Sequence, residues 1–127
     1  MIDVPILDVE LVLEDWETVP SDLASRLADA AGAVFGTPAG RTWVRVRRLA
    51  RADYAENGGG PPTGVRPVFA NVLVSRLPSP SRVREDIERL TRAIAAVCGR
   101  PIENVHVMFL PDAAGRVAFG GTLVEPR

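Results

Sequence analysis

At 127 residues, with 46% hydrophobic and 24% charged residues, the chain has the size and make-up of one soluble globular domain that can bury a core without disulfide or metal staples. Its 15 basic residues balance 16 acidic ones and are all arginine, which excludes recruitment to nucleic acid or to a membrane by net charge, and also excludes lysine Schiff-base chemistry. One cysteine, Cys98, and one histidine, His106, leave no metal-ligand set, cofactor anchor or internal disulfide; with no signal-peptide pattern or long apolar run, the expected setting is the cytoplasm, away from the membrane.

From Val4 to Leu13 apolar residues alternate with polar ones, which predicts a half-buried strand with Pro5 at its start, where a missing N–H does least harm. The period then changes. In VPSDLASRLADAAGAVFGTP, Leu23, Leu27, Ala30, Ala31 and Val34 form one apolar face of a helix, with Ser21 as its expected cap and Gly36 and Pro38 as its stop. TWVRVRRL reads as a second strand, and ENGGGPPTGVRP as an exposed connector. RPVFANVLVS predicts a third strand. SPSRVREDIERLTRAIAAVCGRP predicts a helix with Pro80 in its first turn, Gly99 at its end, and Val83, Ile87, Leu90, Ile94 and Val97 inward. Its outer face offers two i,i+4 pairs, Glu85 with Arg89 and Glu88 with Arg92. NVHVMFL closes the series as a strand.

The two halves repeat one order of events. Pro5-Ile-Leu answers Pro67-Val-Phe, an offset of 62; Gly36-Thr-Pro answers Gly99-Arg-Pro, and Asn57-Gly-Gly answers Phe119-Gly-Gly near the same spacing. The expected organisation is a single domain over 1–127: a β-α-β unit at 1–57, a connector at 58–66, and a second unit at 67–127. The fold class is α+β, β-α-β-β-α-β.

On these residues, and most specifically on AAVCGRPIENVHVMF and the GRVAFGG tail, the chain resembles the tautomerase superfamily, in the branch where two units are fused, as in 5-carboxymethyl-2-hydroxymuconate isomerase and macrophage migration inhibitory factor. The resemblance implies a four-stranded mixed sheet with two helices on one face, a homotrimer, and cofactor-free keto–enol isomerisation of a small carboxylate-bearing compound. It also implies a catalytic proline with a free amine at the chain start. Pro5 stands at that address, but Met1 to Val4 precede it, so its nitrogen is a tertiary amide whose lone pair is tied up by resonance.

His106 or an acidic residue is then expected to replace the amine. Arg45 matches the family's carboxylate-binding strand arginine, Arg47 shares its face, and Arg76 lies beside the place of the other family arginine. Tyr54 is expected at the pocket rim. Near the tail, Val117 holds the pocket position, with Phe119 two residues on. Each has a structural alternative: solvent-facing strand arginines, a hydrogen-bonded interface histidine, a loop-anchoring tyrosine, a packing phenylalanine. Two further readings stand beside the enzyme, a trimeric binding module without activity and a ferredoxin-like domain with the same order of elements.

Overall fold

The computed structural model describes residues 4–126. Four strands, β1 (Ile6–Leu13), β2 (Trp43–Ala50), β3 (Val68–Leu73) and β4 (Val105–Phe109), form one sheet in the order β2-β1-β3-β4. The outer pairs β1–β2 and β3–β4 are parallel and the central pair β1–β3 is antiparallel. Each parallel pair is joined by a crossover helix, α1 (Leu23–Phe35) or α2 (Pro80–Cys98), as parallel pairing requires. A short hairpin, β5 (Ala118–Phe119) and β6 (Thr122–Leu123), follows; its first-half counterpart is a single bridge between Glu56 and Gly60.

Alternation sends Leu7, Val9 and Leu11 to the helix side with their register partners Val68, Ala70 and Val72, all at most 2% exposed. Leu27, Leu90 and Ile94 close over them from the helices. Each such leucine contributes roughly 1.5–3 kcal/mol through burial. The other face carries Asp8, Glu10, Trp43, Arg45, Arg47, Phe69, Asn71, His106 and Met108, and within one chain it is open: Trp43 is 44% and Met108 61% exposed.

The strands refine the internal match. Both parallel pairs share one register difference, 37 (44 − 7 and 105 − 68), and inward strand residues meet inward ones only at an odd offset. The helices repeat at 63: Gly36 and Gly99 both end their helix in the left-handed region, at φ 67° and 65°. The offset of 62 read from the prolines is one residue short of this, and on a strand a slip of one residue exchanges the faces, matching the inward Leu7 with the outward Phe69.

Two local expectations are corrected. Helix α1 starts at Leu23 with Asp22 at its cap position and no side-chain cap bond, so Ser21 lies one residue outside it. On α2 the i,i+4 ion pair that closes is Arg82–Asp86; Arg89 instead donates to the Val34 carbonyl of α1. Pro80 stands in the first turn of α2 as expected, and the Ser79 hydroxyl caps the helix by accepting from the Arg82 N–H.

Candidate active site

Pro5 is buried where β1 begins, and its carbonyl accepts the Trp43 N–H at 3.0 Å, which ties the start of β1 to β2. It lines a cavity of about 280 Å³. The end of β3 brings Val74, Arg76 and Pro78 to this cavity, the end of α1 brings Phe35 and Thr37, and β4 brings Phe109. Phe35 and Phe109 meet edge to face, with ring centres 6.5 Å apart, and make an apolar wall. Arg76 is half-buried, and its Nη2 donates to the Glu125 carbonyl at 2.6 Å, so the C-terminal segment fixes its direction.

The remaining wall is the first half of α2, with Arg82 and Asp86. Asp86 is 4% exposed, and Arg82 Nε donates to its Oδ1 at 3.0 Å. The bond to this carboxylate, and its charge, raise the Arg82 pKa. Asp86 is the acid that residue-by-residue reading missed, although a signal existed. It stands in the i, i+4, i+8 row with Leu90 and Ile94, a charged residue on the apolar stripe of its helix, whereas Val83 and Ile87, assigned inward, are half-buried.

The other expected site residues lie elsewhere. Arg45 is on the open face of the sheet in a bidentate pair with Asp8, at 2.6 and 2.9 Å, and that bond raises its pKa. Arg47 borders a shallow depression with Glu10, Phe69 and Asn71 on the same face. His106 is exposed there too, against the Phe69 ring at 5.3 Å, while Tyr54 lies 5.8 Å from that ring on the other side. The Tyr54 hydroxyl donates to Glu56 Oε2 at 2.8 Å, a bond that raises its pKa. Phe119, in the terminal hairpin, packs edge-on against Trp43 at 5.6 Å. Within its own chain His106 does not reach the Pro5 cavity, because strand alternation gives it the opposite face of the sheet from Phe109.

At the opposite end of the helix layer a second cleft, of about 310 Å³, has Leu23, Arg26, Cys98, Glu17 and Arg100 among its walls. Here the charges satisfy one another. Glu17 Oε2 accepts from Arg66 Nη1 at 2.5 Å and from Arg100 Nη2 at 2.9 Å. Arg100, with its side chain 4% exposed, also donates to the carbonyls of Arg66, Cys98 and Val12. Burial pushes the Cys98 thiol up to about 11. Among the described residues no group of three His, Cys, Asp or Glu side chains is arranged to hold a metal ion, and no helix is long and apolar enough to cross a membrane.

No protein-family profile matches the chain, and no curated protein sequence matches it. Solved structures do. A fused 4-OT, a symmetric trimer, superposes with a TM-score of 0.74 at 20% identity, covering 94% of each chain. The macrophage migration inhibitory factor of Trichinella spiralis gives 0.68 at 19% identity, over 93% of this chain and 98% of the other. FG41 malonate semialdehyde decarboxylase, in a structure inhibited by 3-bromopropiolate, gives 0.67 at 16% identity, over 91% and 88%. Two crossover helices on one side of a mixed β2-β1-β3-β4 sheet, matched over nearly the whole length of these proteins, give this chain the fold of the tautomerase superfamily.

Proposed function

We propose that this chain is a cofactor-free isomerase that interconverts keto and enol forms of a small carboxylate-bearing compound in the Pro5 cavity. The observation that carries the reading is the convergence of two guanidinium groups, one buried carboxylate and an edge-to-face aromatic wall on a cavity of about 280 Å³ at the start of β1. Arg76 and Arg82 supply charge-assisted donors for a substrate carboxylate and for the oxyanion of an enolate. Phe35, Phe109 and Val74 limit water around them and so strengthen both interactions. Pro5 shapes the floor of the cavity through its ring.

The working form is a homotrimer, a reading supported by the fused 4-OT structures, which are trimers, and by the apolar Trp43 and Met108 left uncovered on the open face. In such an assembly Arg45, Arg47, His106 and Tyr54 can reach a cavity only across a subunit boundary. The lone, unpaired Cys98 supports a reducing, cytoplasmic setting.

The test follows ketonisation of phenylenolpyruvate by protein whose intact mass confirms that Met1 to Val4 are retained. Wild type is expected to exceed the buffer rate, and Arg76→Ala to raise KM roughly 10- to 100-fold, the effect of losing one charge-assisted bond of roughly 1.5–3 kcal/mol. No rate above buffer, with the carboxylate compound still bound, would favour the second reading, a trimeric binding module without activity. That reading is motivated by the amide bond at the Pro5 nitrogen.

A further inference from the structure

We infer that Asp86 is the proton-transferring group of the Pro5 cavity, supplying there the base that an amide-bonded proline cannot be. The inference rests on the isomerase reading above.

Two internal comparisons isolate this residue. At the helix offset of 63, the inward rows Leu23, Leu27, Ala31, Val34 and Asp86, Leu90, Ile94, Val97 correspond one to one, all buried except the half-buried Val97. The first unit therefore builds the same fold with leucine where the second has a carboxylate. A buried carboxylate is unfavourable unless bonded, and Arg82 offsets only part of this, through Oδ1, from a guanidinium that is itself 51% exposed. The packing of α2 gives no reason for an acid at this position; the cavity does. Asp86 is also the one acid among the described residues that line the cavity. The other well-buried acid on a cleft, Glu17, is at the far end of the helix layer and is held by two arginines.

The step balances without a co-reactant. The Asp86 carboxylate takes a proton from the carbon next to the substrate carbonyl, the C–H pair becomes the C=C bond, and the carbonyl π pair moves to oxygen, beside Arg76 and Arg82. Protonated Asp86 then delivers the same proton to that oxygen, giving the enol and restoring the carboxylate. The reverse order gives the ketone.

The experiment measures phenylenolpyruvate ketonisation by wild type, Asp86→Asn and Asp86→Ala, with Asp86→Leu, copied from the first unit, as the folding control. Asp86→Asn is expected to lower kcat at least 100-fold with KM within threefold, the range expected for loss of a general base. Asp86→Ala is expected to regain activity with added formate, which enters the vacated space. If wild type exceeds the buffer rate but Asp86→Asn stays within threefold of it, Asp86 is not the base and the isomerase reading survives. A loss in Asp86→Ala that formate does not restore, in a folded protein, assigns Asp86 to holding Arg82 and overturns the base role. Wild type at the buffer rate overturns both readings together.

Discussion

Arg100→Met tests whether the buried charges at the end of the helix layer opposite the Pro5 cavity hold the domain together. Methionine keeps the apolar stem but removes the ion pair to Glu17 at 2.9 Å and the donors to the carbonyls of Arg66, Val12 and Cys98 at 3.1–3.3 Å. Breaking a buried pair by deleting one partner costs roughly 3–5 kcal/mol. Arg66 still holds Glu17, so the expected loss lies at the lower end, about 3 kcal/mol. With an unfolding entropy of about 2.1 cal/mol/K per residue over 127 residues, this lowers Tm by roughly 11 °C.

The same cluster gives the loss a pH dependence. Burial works to raise the Glu17 pKa, but the bonds from Arg66 and the Glu14 N–H, with the charges of Arg100 and Arg66, outweigh it and bring the group below 4.5. Its folded value is thus lower than its unfolded one. The stabilisation is fully present above about pH 4.5 and is lost as pH falls through the folded value. Urea denaturation at fixed protein concentration, read by tryptophan fluorescence, should show wild type and variant about 3 kcal/mol apart near pH 7. The gap should narrow toward pH 3, leaving the share due to the three carbonyl bonds, which do not titrate. A gap below about 1 kcal/mol at neutral pH, or one that stays constant into acid, would refute the argument.

Two further outcomes follow from the helix ends. With its thiol pushed up to about 11 by burial, against the opposing charges of Arg100 and Arg26, Cys98 should react with iodoacetamide near pH 8 at least ~100-fold more slowly in the folded protein than in urea. Labelling of the native protein within minutes would contradict that placement. Gly99→Ala should cost about 1–2 kcal/mol, the strain of a left-handed φ of 65°, because no atom lies within 4 Å of the added methyl group. A loss above about 3 kcal/mol in thermal unfolding would mean that the methyl group clashes.

Much of the fold was legible because its signals are local. The alternation of Leu7, Val9 and Leu11, the Pro80 first turn and Gly99 end of α2, and the recurrence of Gly36-Thr-Pro as Gly99-Arg-Pro each depend on near neighbours in the chain. The offset was less legible, since the helices repeat at 63 whereas Pro5 and Pro67 stand 62 apart. The site was legible only in part. Pro5 and Arg76 meet in one cavity, but nothing in TWVRVRRL tells which side of the sheet Arg45 occupies until Leu7 is paired with Val44. Asp86 was overlooked for the opposite reason. In REDIER a carboxylate looks like ordinary helix solvation, and only the burial of Leu90 and Ile94 along its row shows that it points inward.

The doubled unit makes the molecule its own control. A rotation that exchanges the two halves carries the Pro5 cavity onto the Glu17 cleft, with Leu23 exchanging for Asp86, Thr37 for Arg100 and Leu13 for Arg76, all at an offset of 63. Two clefts built on one plan differ in the use of their charges: in one a carboxylate is held by two arginines, in the other a carboxylate bonded to Arg82 alone shares the opening with Arg76, which is bonded to a backbone carbonyl. Fusing two copies into one chain is what permits this asymmetry, because an assembly of identical short chains must carry every substitution at both ends.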